Sequence, residues 1–165
     1  MNLYYDTFST PMGPFTVAVN ESRAVVATTF GERRDLQSRV AGDQLIHDAS
    51  AAAEARRELE EFFGGKRRQF TVAIMPRGTD FQKRVWSALQ RIPFGQTRSY
   101  GQLAAEVGNP KASRAVGRAN GANPVCPIVP CHRCIGADGS LTGFGFGEKL
   151  KQRLLDHEKR ALAEA

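Results

Sequence analysis

The stretch SYGQLAAEVGNPKASRAVGRAN, residues 99–120, decides how the chain folds. Ser99 is placed to cap a helix through Val107, and Tyr100, Leu103, Ala104 and Val107 fall at i, i+3, i+4 and i+7 on one face. Gly108-Asn109-Pro110 is a tight turn. Residues 111–120 form a second helix, buried through Ala112, Ala115, Val116 and Ala119. Two short helices around a Gly-containing turn have the pattern of a helix-turn-helix, which other helical hairpins share. The second helix turns Ser113, Arg114, Gly117 and Arg118 outward, with the two arginines one turn apart. A glycine inside a helix costs roughly 1 kcal/mol relative to alanine. Gly117 therefore points to a close approach, by a partner's backbone or by the protein's own side chains. A basic but slim helix suits a narrow groove such as the ~6 Å minor groove of DNA.

Upstream, Thr79 and Gln82 spell a capping box. The helix that follows has Phe81, Val85, Leu89 and Ile92 on one face, Trp86 beside them as a core anchor, and Pro93 as its stop. Before Met75-Pro76-Arg77-Gly78 the pattern changes. Residues 3–8, 15–19 and 24–30 read as strands separated by turns at 9–14 and 20–23, an antiparallel meander. Residues 31–50 are polar, with a short helix near 35–40. Residues 52–63 form an amphipathic helix through Ala55, Leu59, Phe62 and Phe63, stopped by Gly64-Gly65. Phe70, Val72 and Ile74 alternate as in a strand over 69–75. The fold class is α/β of the α+β kind. A small antiparallel β domain with a helix, 1–76, precedes a mostly helical, winged helix-turn-helix-like domain, 77–165.

Downstream lies the longest irregular segment, 120–146, which holds all three cysteines: Cys126, Cys131 and Cys134. Pro127 and Pro130 argue against a central strand and for a stiff, extended brace that holds Cys131. Thr142-Gly143-Phe144-Gly145-Phe146-Gly147 alternates glycine with aromatic rings, as a flexible turn with two core phenylalanines does, or a pocket for a planar ring. The last helix runs from about Gly147, with Leu150, Leu154, His157 and Ala161 on one face and Leu155 and Glu158 flanking it.

The composition is that of a soluble globular protein, with 24% charged and 41% hydrophobic residues in 165. The net charge of +6 favours a polyanionic partner, and no basic tail concentrates it, so the footprint is a folded surface. An odd set of clustered cysteines is a poor disulfide framework and suits a reducing compartment. Residues 1–6 lack a basic-then-apolar leader, and no apolar run approaches the ~18 residues of a membrane span. The expectation is a cytoplasmic protein.

Chemically, the focus is Pro130-Cys131-His132-Arg133. A cysteine in an apolar run is commonly just a small core residue. As a nucleophile it needs a base, with a third group to orient that base. His132 is the candidate base and Glu158 the candidate orienter. Neighbours on an extended chain point apart, so a water bridge between Cys131 and His132 is more plausible than a direct bond. Zinc is a poor alternative. Cys131-His-Arg-Cys134 supplies one arm of ligands, and no second arm follows.

These motifs resemble the O6-alkylguanine-DNA alkyltransferases, the methylated-DNA–protein-cysteine methyltransferases. The resemblance rests on Pro130-Cys131-His132-Arg133, Asn123-Pro124, Ser113-Arg114-Ala115-Val116-Gly117, and the run from Phe81 and Trp86 to Leu154-Leu155-Asp156-His157-Glu158, in order and spacing. It covers the C-terminal half closely and the N-terminal domain more loosely. It implies a monomer that binds double-stranded DNA in the minor groove and flips out O6-alkylguanine, with O4-alkylthymine a further candidate. The alkyl group would pass irreversibly to Cys131, once per molecule. The resemblance further implies that Arg114 fills the vacated stack, with Ser113, Ala115, Gly117 and Arg118 also at the DNA. Tyr100 would aid flipping and protonate the leaving base, and His132 would act through water with Glu158 behind it. Asn123 would hold the segment around the cysteine. The carbonyls of Cys131 and Cys134 and the N–H of Gly145 would read the base edge, with Phe144 in the pocket wall. No cofactor and no metal are expected.

The chain departs from the family pattern at Phe144 (often Tyr), Phe146 (usually Gly), Pro127 (commonly aliphatic) and Cys134 (usually Val), which bears on the range of alkyl groups. Two other functions compete: a lesion sensor that binds the flipped base without accepting its alkyl group, which the presence of Cys131 opposes, and a zinc-stabilised DNA-binding module.

Overall fold

The computed structural model describes all 165 residues. The chain forms two compact units, Met1–Arg77 and Gly78–Ala165.

In the first unit β1 (Asn2–Thr10), β2 (Gly13–Val19) and β3 (Val25–Phe30) form the expected antiparallel meander. A fourth strand, β4 (Gln44–His47), pairs parallel with β1, giving the order β3-β2-β1-β4. This strand lies in the polar stretch 31–50 and is only four residues long, with Leu45 its one buried side chain, too short for an alternating pattern to show. The short helix of that stretch, α1, spans Arg33–Gln37.

The sheet is covered on both faces. Leu3, Ala18 and Val26 pack with Leu36, Val40 and Leu45. On an aromatic layer, Phe15 meets Phe8, Phe30 and Phe63 at ring separations of 5.0–5.6 Å. Phe62 and Phe63 come from α2 (Ala53–Phe63), and each fully buried aromatic side chain contributes roughly 2–3 kcal/mol. Burial on both faces explains why all of Phe15 to Val19 is buried despite the alternating pattern. Thr16 is tolerated inside because its hydroxyl donates to the Gly31 carbonyl at 2.8 Å.

Residues 69–75 do not form the expected strand. Ile74 makes only an isolated bridge to Val25. The cause is Glu58 of α2, fully buried, whose carboxylate accepts from the Thr71 and Val72 N–H groups at 2.8 and 3.1 Å. Those donors are lost to any ladder.

The second unit is built on α3 (Asp80–Gln90), α4 (Tyr100–Glu106) and α5 (Ser113–Gly121). Thr79 and Ser99 both form complete capping boxes, with Gln82 and Gln102. Trp86 is 2% exposed, and its indole N–H donates to the Ala119 carbonyl at 2.8 Å, tying α3 to α5. A 3₁₀ turn, Cys131–Arg133, leads into β6 (Cys134–Ile135), which pairs parallel with β5 (Arg98–Ser99). The last helix, α6 (Glu148–Ala163), buries Lys151, Leu154, Leu155 and Glu158. Its inward stripe is therefore rotated from the apolar face of Leu150, His157 and Ala161, because two charged residues are drawn inside by the site. No helix is long and apolar enough to cross a membrane.

Candidate active site

The segment before Cys131 turns instead of running extended. Its prolines remove backbone donors, and Asn123 supplies the missing order. The Asn123 amide donates to the Val129 carbonyl at 2.8 Å, and its Oδ1 accepts the Val125 N–H at 3.1 Å. The Val129 N–H closes back on Val125 O at 3.1 Å. Pro130 then starts the 3₁₀ turn, with the Arg133 N–H on Pro130 O at 2.9 Å. The Cys134 N–H occupies the Cys131 carbonyl, leaving that oxygen one lone pair for any base edge.

All three cysteines are buried, yet their thiols differ. Burial pushes Cys131 up, but hydrogen bonds from Cys126 and Asn123 and the charge of Lys151 outweigh it, so its pKa lies below the ordinary thiol value. Burial pushes Cys134 up to about 12, only partly countered by Lys151. Near neutral pH Cys131 is the more nucleophilic of these two thiols, and Cys134 stays protonated.

Behind the turn sits a buried ionic cluster. His132 Nε2 meets Glu158 Oε2 at 2.6 Å, and neither side chain is exposed. Arg133 grips the same carboxylate with Nε at 3.0 and 3.1 Å and Nη2 at 2.8 Å. The Gly95 N–H adds a bond to Glu158 Oε1 at 3.0 Å. Arg133 also donates to Ile92 O at 2.8 Å and lies over the Phe94 ring. Burial raises the Glu158 pKa, but the bonds and charges of His132 and Arg133 bring it down to about 2. Burial lowers that of His132, assisted by the nearby positive charges, despite Glu158. The cluster is thus a neutral imidazole oriented by a carboxylate whose charge Arg133 balances.

On the other side, the Tyr100 hydroxyl donates to Thr142 O at 2.5 Å. Lys151 Nζ reaches both the Tyr100 hydroxyl at 3.5 Å and Thr142 O at 3.3 Å. Burial and the charges on Cys134 and Cys131 push Tyr100 up to about 12, so it holds its proton. Burial lowers the Lys151 pKa. The Gly-Phe loop is therefore fastened, with Asn120 adding a long 3.4 Å bond to Gly143 O. Gly143 has φ +86°, and a Cβ there would run into the Tyr100 hydroxyl, so the loop needs glycine at that point. Phe144 is buried and meets Phe146 edge to face at 5.7 Å, while Gly145 is exposed.

On α5, Arg114 and Arg118 are exposed, and Ser113, Ala115 and Gly117 are half-buried. A methyl group at Gly117 would lie in ordinary contact with the Tyr100 ring at 3.9 Å. Internal packing does not demand glycine there. No group of three or more His, Cys, Asp or Glu side chains is placed to hold a metal ion.

Two family models match the chain. The 6-O-methylguanine DNA methyltransferase ribonuclease-like domain matches residues 3–76, and the DNA binding domain of the same family matches residues 80–160. The methylated-DNA–protein-cysteine methyltransferase of Methanosarcina acetivorans is 44% identical over 94% of this chain and 98% of its own. The chain belongs to the 6-O-methylguanine DNA methyltransferase family. The Mycobacterium bovis protein of the same name is 45% identical over 95% of this chain and 93% of its own. The crystal structure of Mycobacterium tuberculosis O6-methylguanine methyltransferase aligns with TM-score 0.86 at 44% identity, covering 96% of this chain and 94% of that one. A structure of M. tuberculosis OGT in complex with DNA aligns with TM-score 0.83 at 42% identity, over 96% and 94% of the two chains.

All the groups assembled here lie within the region matched by the family's DNA binding domain. His132 meets Glu158 directly, Asn123 holds the turn that leads to Cys131, and Tyr100 bonds the loop at Thr142. Lys151 is an addition that the sequence pattern did not single out. The signal for Lys151 was available: it occupies i−4 from Leu155 and i−3 from Leu154, on the inward side of α6. A lysine there reads as a solvated flank until its neighbours are known.

Proposed function

We propose that this methyltransferase-family chain repairs O6-alkylguanine in duplex DNA by taking the alkyl group onto Cys131, one transfer per molecule. The observation that carries the reading is the contrast between the cysteines. Cys131 is held toward thiolate by Cys126, Asn123 and Lys151, with an oriented His132–Glu158 pair behind it.

In this reading the Cys131 sulfur attacks the alkyl carbon in line with the C–O6 bond. The S–C bond forms as the C–O bond breaks, and the electron pair passes into the guanine ring. Where Cys131 begins protonated, His132 takes that proton through water at Nδ1, since Nε2 is engaged by Glu158. Tyr100 gives its proton to the departing base, and Lys151 stabilises the phenolate. The thioether has no leaving group as good as guanine, so the protein does not turn over.

Arg114 and Arg118, exposed on α5, are the proposed DNA contacts. Arg114 fills the stack that the flipped base vacates, an exchange that costs a few kcal/mol and least for a weakly paired base. The room at Gly117 supports close approach of the groove. The edge-to-face pair of Phe144 and Phe146 supports a pocket fitted to small alkyl groups. Reduced, clustered cysteines support a cytoplasmic setting.

The test is stoichiometry. Protein titrated with excess duplex carrying O6-methylguanine should repair one base per molecule and then stop. Continued turnover, or tight binding with no repair, contradicts the proposal.

A further inference from the structure

Asn120 lies on the inward side of α5 with Val116 and Ala119, and it is only 1% exposed. Its hydrogen-bonding capacity is almost unused. Nδ2 reaches the Gly143 carbonyl at 3.4 Å, and Oδ1 has no hydrogen-bond partner. Asparagine is a poor residue for a helix interior, and a buried acceptor without a donor is costly. Two penalties at one position call for a partner that brings the donor.

The surroundings of the amide narrow the choice. Gly143 links it to Tyr100, because a Cβ on Gly143 would run into the Tyr100 hydroxyl. The last turn of α5 backs closely onto the same point: a Cβ on Gly121 would lie 3.3 Å from the Gly143 carbonyl. On the other side, the Asn120 backbone carbonyl accepts the Asn123 N–H at 3.3 Å, and Asn123 closes the turn that leads to Cys131. Asn120 is thus tied to the loop at Tyr100 and to the turn before Cys131, the two groups that a reacting base must meet.

We propose that Asn120 is a specificity-determining residue: its Oδ1 accepts a hydrogen bond from the 2-amino group of the flipped base, so that the pocket selects guanine. The proposal rests on the reading of Cys131 as the acceptor for O6-alkylguanine. Once O6 carries an alkyl group, the guanine ring has acceptors at N1, N3 and N7, and its amino group is the one donor. That group has two hydrogens. The Cys131 carbonyl already holds the Cys134 N–H and has one lone pair left, so it takes at most one of them. Oδ1 takes the other. O4-alkylthymine and O6-alkylhypoxanthine have no amino group and leave Oδ1 unpaired. A site built to bond a donor disfavours an analogue that lacks it.

The experiment measures single-turnover methyl transfer from two duplexes that differ only in the lesion, O6-methylguanine or O6-methylhypoxanthine, the same base without its amino group. The wild-type protein, Asn120→Ala and Asn120→Leu are compared. The lesions differ in pairing and as leaving groups, but those differences are common to all three proteins. The readout is therefore the change in the guanine-to-hypoxanthine rate ratio between proteins. Asn120→Ala should lower that ratio about tenfold, by slowing transfer from guanine far more than from hypoxanthine. Equal slowing of both, as a loosened Gly143 loop alone would give, overturns the proposal. If Asn120→Ala does not fold, Asn120→Leu, which fills the space with an apolar side chain, is read the same way, and an unchanged ratio overturns the proposal. Wild-type protein that takes no methyl onto Cys131 from O6-methylguanine duplex defeats the acceptor assignment instead, so the two failures are distinct.

Discussion

Glu158 Oε2 lies 2.6 Å from His132 Nε2 and 2.8 Å from Arg133 Nη2, so one buried carboxylate orients the His132 imidazole and neutralises the neighbouring cation. Removing its charge should have two consequences. Glu158→Gln leaves Arg133 buried without its anion, which costs about 3–5 kcal/mol. It also frees the imidazole to rotate, and methyl transfer should slow by about 10²-fold or more. Thermal unfolding and single-turnover kinetics on the same preparation check both.

Acid should destabilise the protein through the same cluster. Glu158 is held at about 2 against an ordinary 4.5, so its contribution is present above pH 4.5 and lost as pH falls toward 2. That contribution is on the order of 3 kcal/mol. His132, lowered by burial from an ordinary 6.5, acts with the same sign, because the unfolded state takes up its proton first. The Tm should fall in two stages as pH drops, below about 6.5 through His132 and from about 4.5 toward 2 through Glu158, and the second stage should be missing in Glu158→Gln.

Lys151 is fully buried, and its nearest hydrogen-bond partners are the Tyr100 hydroxyl and the Thr142 carbonyl, with no carboxylate in an ion pair. Lys151→Met keeps the length of the side chain and removes a desolvated charge. Stability should hold or rise, while transfer slows about 10- to 100-fold as the phenolate and the thiolate lose their cation. A variant that is both less stable and fully active would contradict this role.

The helix-turn-helix was legible because it depends on local signals: capping Ser99 and Thr79, the Gly108-Asn109-Pro110 turn, and apolar spacing. Cys131, His132 and Glu158 stood out through the motif, and the structure places His132 against Glu158. What was hidden depends on tertiary contact. β4 is only four residues long, set in a polar stretch, and exists because β1 offers it an edge. The strand expected at 69–75 gave way to the Glu58 carboxylate, whose partners are remote in sequence. The extended brace before Cys131 proved to be a turn because Asn123 bonds both sides of it. Burial of Lys151 and Glu158 ran against every residue-level preference, which is what a functional site does to its surroundings.

On the DNA side, Arg114→Ala should slow transfer from duplex far more than from a free alkylated base, since only the duplex needs its stack filled. Equal losses would remove the finger role. Arg118→Ala should weaken binding across sequences and lower the salt slope of log K by about 1, measured by fluorescence anisotropy over a salt series.

The central claim is that one particular sulfur accepts the alkyl group. The protein is incubated with duplex DNA carrying O6-methylguanine, digested, and its cysteine peptides are resolved by tandem mass spectrometry. The expected result is one methyl group, located on Cys131, with Cys126 and Cys134 unmodified. A methyl group on either of the other thiols, or unmodified protein beside DNA that remains bound, contradicts it.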